Sequence, residues 1–435
     1  MSPFRWTGNI RALGASDRRA LFERTMSDDA GVHDRTAVIL ARVRRDGDAA
    51  LRAMASEFDG VTLDALEVPR REWMRALDAL DLSLRCAIER SAANVERIHR
   101  AFRPAAQECE SEPGIVVGRR PDPLGRVGVY APGGRAAYPS SVVMGIVPAR
   151  VAGVGEIMLC SPPARESGRP SPVVLAAAAL AGADRVFALG GAGAIAAMAY
   201  GTETVPRVDR IVGPGNAYVA EAKLQVSSAV AIDSPAGPSE LLVLCDATAD
   251  PVGVARELLA QAEHDPLAAV VAVTTSERLA LAIADAIAEL LPSQARGKII
   301  AASLAGQGAI LWSDSLDDAI EFANAYAPEH LQLLVAESEV VLPRLRNTGT
   351  VFVGPSASVA FGDYMTGANH VLPTGGLARS YSGLSTLDFV RWTTYQRVSA
   401  DAAARLADDV GVFADAEGLP GHAAAARAWR AGGAS

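Results

Sequence analysis

The sequence has little cysteine, almost no lysine and no long hydrophobic run. Its four cysteines are scattered without a CxxC pair, which excludes a cysteine zinc finger and is typical of reduced thiols in the cytosol. Only Lys223 and Lys298 are lysines among the 41 basic residues, a bias that we attribute to coding composition. The longest apolar run, at 186–201 with glycine counted, is shorter than the roughly 18 residues of a membrane span. Residues 1–14 contain no signal-peptide core, so we expect a cytoplasmic protein.

Basic residues are not in excess either. The 41 lysines and arginines stand against 50 acidic residues and give a net charge of −9, which argues against a nucleic-acid-binding protein. Half of the 435 residues are hydrophobic, so the chain can bury a large core in two or three domains.

The hydrophobic pattern changes near residue 125. Before it, apolar residues at helical spacing predict long helices over 36–58 and 73–102, which end at Asp59 and Pro104. After it, short apolar runs alternate with helical stretches, which predicts parallel strands joined by right-handed crossovers. The first series has strands at 126–130, 156–160, 185–189 and 210–212, with helices at 140–154, 173–183 and 194–201. The second has strands at 241–245, 269–274 and 309–312, with helices at 251–264 and 276–291.

These patterns predict an α/β fold with two parallel-sheet units. After about residue 380 the sequence becomes rich in alanine and arginine. That composition predicts a small helical segment that is too short to be an independent domain.

Four of the six histidines stand in unusual local sequences. The other two, His33 and His99, lie in the N-terminal helical region, where surface or packing roles are expected. Each of the four has a carboxylate or an amide within a few residues, and both metal sites and acid–base sites use these side chains. They are His264 in QAEHDP, His330 in APEH, His370 after Asp363, and His422 in EGLPGH.

Gln261 and His264 are three residues apart, which places both on one face of a helix. Pro266 disfavours helix at Asp265, so we expect this helix to end near His264. A histidine that interacts with the free carbonyls of the helix C-terminus explains this pair better, on its own, than a metal site does.

Glu329 and His330 are adjacent and follow a proline. In a loop, two such residues can serve one pocket, where the histidine supplies a base near neutral pH and the glutamate a second acid–base group. A salt-bridged surface turn is the competing interpretation.

Glycine-rich loops follow several predicted strands. The stretch Gly191-x-Gly193-x-x-Ala196 comes after a strand and opens a helix, as a dinucleotide-binding fingerprint does. The loops at 213–216 and 237–239 also lie after or between strands. Together they favour a phosphate-bearing cofactor, although each one alone is more often a tight turn.

Taken together, these motifs resemble the histidinol dehydrogenase family. The resemblance runs over nearly the whole chain and in the family's order. Its segments are 127–148 (VGVYAPGGRAAYPSSVVMGIVP), 190–202, 213–223, 233–240 (DSPAGPSE), 261–266 (QAEHDP), 326–334, 349–376 and 417–422.

The resemblance implies an α/β fold of two incomplete Rossmann-like domains with small helical terminal segments, in an intertwined homodimer without nucleic-acid or membrane partners. The implied domains are an N-terminal arm (1–24), a discontinuous α/β domain with the zinc and catalytic residues (25–124 and 238–380), an NAD-binding domain (125–237) and a C-terminal dimerisation segment (381–435).

The implied activity is the four-electron oxidation of L-histidinol to L-histidine through L-histidinal, the last two steps of histidine biosynthesis. It uses two NAD+ and one Zn2+ per site. The implied zinc ligands are Gln261, His264, Asp363 and the partner subunit's His422. These four, with His330, Ser239 and Glu417, are also the implied substrate contacts, and Tyr130, Gly193 and Asn216 are the implied NAD contacts.

The implied catalytic residues are Glu329, His330 and His370. His330 takes the proton of the substrate hydroxyl in the first oxidation and a proton again in the second. Glu329 activates the water that adds to the aldehyde, and His370 lines the same pocket.

Several positions depart from the family, and the clearest is Gly193, which stands where a glutamine is usual. Ala368 and Ser356 also stand where the family usually has threonine and tyrosine. Two alternatives therefore stay open, a relative that oxidises another polar alcohol, such as a sulfonated diol, and a zinc- or ligand-binding paralogue without turnover. A zinc hydrolase is a third, but it leaves the glycine-rich loops without a purpose.

Overall fold

The computed structural model describes residues 3–24, 30–133 and 137–430. Residues 134–136 of the first family motif lie outside the described residues. The chain divides into two compact units, which we call unit 1 (Met1–Phe102 and Leu124–Phe389) and unit 2 (Arg103–Pro123 and Val390–Ser435).

The strands of the described residues belong to three sheets. In chain order they are β1 (Trp6–Asn9), β2 (Gln107–Glu112), β3 (Ile115–Pro123), β4 (Arg126–Tyr130), β5 (Glu156–Ser161), β6 (Arg185–Ala188), β7 (Arg210–Val212), β8 (Ala231–Ile232), β9 (Glu240–Cys245), β10 (Ala269–Thr274), β11 (Gly308–Trp312), β12 (His330–Leu334), β13 (Thr350–Val353) and β14 (Val390–Val398).

The α-helices of the described residues alternate with most of these strands. They are α1 (Ala15–Phe22), α2 (Ala30–Met54), α3 (Arg70–Asp78), α4 (Leu82–Ala101), α5 (Pro139–Ala152), α6 (Pro172–Ala181), α7 (Gly191–Tyr200), α8 (Ala217–Val226), α9 (Pro251–Ala262), α10 (Glu277–Leu290), α11 (Gly297–Gln307), α12 (Leu316–Tyr326), α13 (Ser338–Val341), α14 (Val359–Tyr364), α15 (Ala400–Ala416) and α16 (Pro420–Arg427). None of the helices within the described ranges combines the length and the apolar character of a membrane span.

A six-stranded parallel sheet in unit 1 has the order β1-β11-β10-β9-β12-β13. The central strands β9 and β10 are buried at every residue, as expected for a parallel sheet with both faces covered. Strands β9, β10 and β11 confirm the predicted strands to within one residue. The sheet also includes β1, from the segment expected to be an N-terminal arm, and β12 and β13.

A five-stranded parallel sheet in unit 1 has the order β6-β5-β4-β7-β8. The four predicted strands and three predicted helices of the first series are confirmed as β4–β7 and α5–α7, with small shifts at their ends. Helix α5 is buried along most of its length, which explains why its sequence shows almost no polar face.

The predicted helix over 73–102 is wrong as a single helix, because α3 ends at Asp78 and α4 starts at Leu82. The Asp81 carboxylate accepts hydrogen bonds from the backbone N–H groups of Ser83 (2.9 Å) and Leu84 (3.2 Å). This N-cap starts a new helix inside a continuous apolar pattern.

Unit 2 contains a three-stranded antiparallel sheet, ordered β14-β3-β2, and the helices α15 and α16. The prediction of helix after residue 380 missed β14, whose aromatic and β-branched residues favour a strand. Gly118 on β3 faces Tyr395 of β14, and a Cβ at position 118 would collide with that ring.

Candidate active site

The predicted catalytic pair, Glu329 and His330, and the predicted substrate contact Ser239 lie at the amino ends of two neighbouring strands. Glu329 directly precedes β12, and Ser239 directly precedes β9. Because β9 and β12 are adjacent and parallel, with His330 opposite Leu241, the residues before the two strands lie side by side. The structure therefore brings Ser239 to Glu329, which is 90 positions further along the sequence, and to the adjacent His330.

The Glu329 carboxylate is held by two donors from the start of β9. Its Oε2 accepts hydrogen bonds from the Ser239 hydroxyl (2.6 Å) and from the backbone N–H of Glu240 (2.7 Å). The same oxygen lies 3.2 Å from Nδ1 of His330, and both side chains are buried. This geometry excludes the surface-turn interpretation of the pair.

The His330 ring has one nitrogen engaged by the backbone and one facing a carboxylate. Nδ1 lies 2.9 Å from the carbonyl oxygen of Glu240, an acceptor, so the nitrogen donates its proton there. Nε2 is buried, has no hydrogen-bond partner within the described residues, and lies 3.6 Å from Oδ1 of Asp363. Burial alone lowers the pKa of His330, but the charges of Glu329 and Asp363 raise it well above the usual histidine value.

Asp363, near the end of α14, lies among three of the predicted histidines. Burial raises the pKa of Asp363, but the imidazoles of His330, His370 and His264 outweigh it and lower that pKa. The His370 Nδ1 lies 2.8 Å from the backbone carbonyl of Asp363. Burial lowers the pKa of His370, although Asp363 opposes it, so His370 favours its neutral form.

Gln261 approaches the same group from α9. It is buried, and its Nε2 donates a hydrogen bond to the Ser239 hydroxyl (2.5 Å), which leaves its carbonyl oxygen as the atom free to bind a cation. The helix ends at Ala262, close to the predicted end, and His264 follows it in an exposed turn.

The donor types of this group fit a zinc ion held by oxygen and nitrogen. The implied set has one amide oxygen, one imidazole and one carboxylate in this chain, from Gln261, His264 and Asp363. Within the described residues, no three His, Cys, Asp or Glu side chains come together as a metal site. His264 and Asp363 are the two residues of these types in the implied set, Gln261 is its third member in this chain, and the implied fourth ligand is the partner subunit's His422.

The last two implied site residues belong to unit 2. Glu417 follows α15, and His422 lies in the first turn of α16. Both are exposed on that unit. Their roles remain predictions.

The three residues implied to contact NAD line one cavity of about 820 Å³. Tyr130 ends β4, Gly193 lies in the first turn of α7, and Asn216 caps α8, so the cavity opens at the carboxyl ends of the five-stranded sheet. Open parallel sheets bind nucleotides at this edge. Residues of α2, including Leu51 and Met54, line the same cavity.

Tyr130 and Asn216 have local structural roles as well, and Gly193 lies close to Met54. The Tyr130 hydroxyl accepts the Gly191 N–H (3.1 Å), and burial raises the pKa of Tyr130 to about 12. The Asn216 side chain caps α8 through the N–H groups of Tyr218 and Val219. A Cβ at Gly193 would lie 3.3 Å from the Met54 sulfur, so a larger residue there requires a small movement of that flexible side chain.

Four charged residues behind these sites were not among the functional residues predicted from the sequence. Lys223 and Asp233 form a buried ion pair behind Gly213. The Asp233 carboxylate accepts a hydrogen bond from the Gly213 N–H, and the Lys223 ammonium donates one to the Gly213 carbonyl. Arg24 and Glu240 form another buried pair behind Ser239. A lone carboxylate opening an otherwise apolar strand, as in ELLVLC at 240–245, was the available signal for Glu240.

Comparison with known proteins agrees with this geometry. The sequence profile of histidinol dehydrogenase matches residues 22–430. Histidinol dehydrogenase of Halobacterium salinarum is 51% identical over 412 residues, with 94% of this chain and 96% of the relative covered. That of Methanosarcina mazei is 48% identical over 400 residues, with 92% of each covered. The crystal structure of histidinol dehydrogenase from Elizabethkingia anophelis superposes with a TM-score of 0.94 at 34% identity and covers 99% of this chain and 98% of its own.

Proposed function

Because this chain belongs to the histidinol dehydrogenase family, we propose that it oxidises L-histidinol to L-histidine with two NAD+, through L-histidinal. The buried contact between Glu329 and His330, beside Asp363, carries the proposal, since the reaction needs a base for a hydroxyl and a base for a water. The products are L-histidine, two NADH and protons, and one water is consumed. The proposal includes a cytoplasmic location and the four-part domain organisation expected from the sequence.

His330 is the first base of the proposed mechanism. Its Nδ1 proton is engaged by the Glu240 carbonyl, so Nε2 is the nitrogen available to take the substrate's hydroxyl proton. The same nitrogen takes a proton again when the hydrated aldehyde is oxidised. His370 lines the same pocket, with its Nδ1 beside the backbone carbonyl of Asp363.

Glu329 is the second base of the proposed mechanism. It removes a proton from the water that adds to the aldehyde carbon, and its second oxygen stays held by Ser239 and the Glu240 N–H. Because one oxygen is held, the other oxygen of the carboxylate keeps a fixed orientation, which favours the reactive geometry.

Gln261, His264 and Asp363 would hold a zinc ion, completed by the partner subunit's His422. Such an ion supplies a template that orients the substrate's polar groups. NAD+ supplies the hydride acceptor, and the cavity lined by Tyr130, Gly193 and Asn216 is its proposed site.

The stoichiometry of the reaction tests the proposal. Limiting L-histidinol, excess NAD+ and zinc-loaded protein should yield two NADH per histidinol consumed, measured by absorbance with L-histidine quantified in parallel. One NADH per histidinol, with accumulated aldehyde, would contradict the four-electron reaction. NADH from a sulfonated diol but not from histidinol would assign the chain to another alcohol, and binding of histidinol without NADH would favour the non-catalytic alternative.

A further inference from the structure

Arg24 is a buried arginine whose guanidinium is paired with Glu240. Its Nε and Nη2 each donate a 3.0 Å hydrogen bond to one oxygen of the Glu240 carboxylate, and both side chains are almost fully buried. This two-pronged contact sets the carboxylate in one orientation. It joins residues 216 positions apart in the sequence.

Arg24 also contacts the segment that leads into the catalytic pair. Its Nη2 donates to the backbone carbonyl of Tyr326 (2.8 Å), and its guanidinium lies 3.5 Å from the centre of the Tyr326 ring. Tyr326 ends α12, and Glu329 follows three residues later, after the left-handed Ala327 (φ 54°). One side chain thus ties the start of β9 to the turn before β12.

Glu240 connects this pair to both catalytic side chains. Its carboxylate also accepts the backbone N–H of Gly375 (2.6 Å) and, at 3.4 Å, that of Glu329. Its own backbone N–H holds the Glu329 carboxylate, and its carbonyl lies at His330 Nδ1. The orientation of the Glu240 side chain and backbone therefore sets the positions of both bases.

We propose that Arg24 is a positioning residue for the dehydrogenase reaction: it holds Glu240, and through Glu240 and the Tyr326 carbonyl it aligns Glu329 and His330. The proposal rests on the roles of Glu329 and His330 given above. Arg24 touches none of the reacting groups itself, so its removal should reduce turnover while substrate binding is retained.

The main experiment separates turnover from binding. Arg24→Gln should lower kcat about tenfold or more, because small misplacements of catalytic groups are costly, while the KM values for histidinol and NAD+ stay within about twofold. Arg24→Lys keeps the charge without the two-pronged contact and should recover part of the lost kcat. If Arg24→Gln does not fold, the lysine variant carries the same test.

Arg185→Gln is the matched control. Arg185 also makes a two-pronged contact with a glutamate, Glu67, donates to the Thr204 carbonyl and lies over an aromatic ring. It lies at the amino end of β6, away from the residues assigned to the reaction. Its loss should reduce stability and leave kcat unchanged.

A double-mutant cycle tests whether Arg24 acts through Glu240. If it does, Arg24→Gln/Glu240→Gln should lose far less kcat than the product of the two single losses. A full product of the losses, or an Arg24→Gln enzyme with lower stability and unchanged kcat, would overturn the proposal and leave the assigned function intact.

Amide hydrogen exchange gives a readout that does not depend on the substrate. Exchange over residues 326–330 should accelerate in Arg24→Gln but not in Arg185→Gln, even if wild-type protein fails to oxidise histidinol. Failure of the wild-type assay would contradict the proposed function, whereas unchanged exchange in Arg24→Gln would contradict the positioning role.

Discussion

The carboxylate of Glu329 differs from an ordinary surface glutamate because one of its oxygens is already occupied. Oε2 accepts two hydrogen bonds from the start of β9, so a glutamine can keep that acceptor while losing basicity. The residue can therefore be changed chemically with little change in shape. His330 has no comparable substitute that keeps a basic Nε2.

Glu329→Gln should slow the oxidation of added L-histidinal by about a hundredfold or more, the usual size of a general-base effect, and affect the first oxidation less. His330→Asn should suppress both oxidations. Stopped-flow measurement of NADH from histidinol and from histidinal separates the two steps. Glu337→Gln, an exposed glutamate beyond the other end of β12, is the control. If Glu329→Gln oxidised histidinol and histidinal at the wild-type rates, the proposed role of Glu329 in water activation would be wrong.

His99 is a second residue whose environment decides its behaviour. It is buried in α4, and burial lowers the pKa of His99 although backbone carbonyl contacts at Leu384 and Val95 oppose the shift. His99 therefore binds a proton more readily in the unfolded chain than in the folded protein. The stability that the neutral, buried His99 contributes is lost as the pH falls below the ordinary histidine value of about 6.5.

His99→Gln should reduce the difference between the unfolding midpoints at pH 8 and pH 5, measured by circular dichroism in urea. His33→Gln serves as the control because His33 is exposed. Equal pH sensitivity of the His99 variant and wild-type protein would show that this histidine does not contribute to acid sensitivity.

At the scale of elements, the break between α3 and α4 depends on one side chain. Asp81 satisfies the first backbone N–H groups of α4, and the apolar pattern on either side of it continues without interruption. Periodicity therefore predicted one long helix where the N-cap forms two.

Asp81→Ala should destabilise unit 1 by about 1 kcal/mol, the usual cost of losing an N-cap carboxylate. Urea unfolding of the variant measures the change. Asp78→Ala, at the exposed end of α3, removes a carboxylate without removing a cap and should shift the midpoint little. A similar shift in both variants would attribute the effect to charge rather than to capping.

The two parallel sheets also carry their candidate functional residues at opposite strand ends. The cavity lined by Tyr130, Gly193 and Asn216 lies at the carboxyl edge of one sheet, as the general rule for open parallel sheets predicts. Glu329 and Ser239 lie at the amino edge of the other. The second arrangement works because α9 and α14 bring Gln261 and Asp363 to that same edge.

At the scale of the whole molecule, the proposed zinc site takes its fourth ligand, His422, from a second subunit. The in-chain ligands lie in unit 1, and His422 lies in unit 2. A shared site makes a clear prediction about mixed dimers, because each subunit supplies one part of the other's site.

A His422→Ala chain refolded together with a His264→Ala chain should recover about a quarter of wild-type activity, since half of the randomly formed dimers are mixed and each has one intact site. Activity and zinc content of the mixture, measured against each variant alone, give the result. No recovery, with mixed dimers demonstrated by mass spectrometry, would place all ligands in one chain.

Local patterns in the sequence determined most of the elements. Buried parallel strands read as continuous apolar runs, so β4, β7 and β10 were predicted with their observed bounds. The helix end near His264 followed from Pro266, and eight motifs along the chain, among them the one around Glu329 and His330, identified the family together. These features depend on neighbours in the chain, which a sequence displays directly.

Only the tertiary structure decided how those motifs meet. The contacts of Glu329 with Ser239, and of Arg24 with Glu240, join residues 90 and 216 positions apart. Such contacts depend on which strands are adjacent and on where the helices end relative to the sheet. The hydrophobic periodicity of the sequence specifies neither. Arg24 reads in sequence as one more arginine in an arginine-rich chain, and only its burial against Glu240 and Tyr326 distinguishes it.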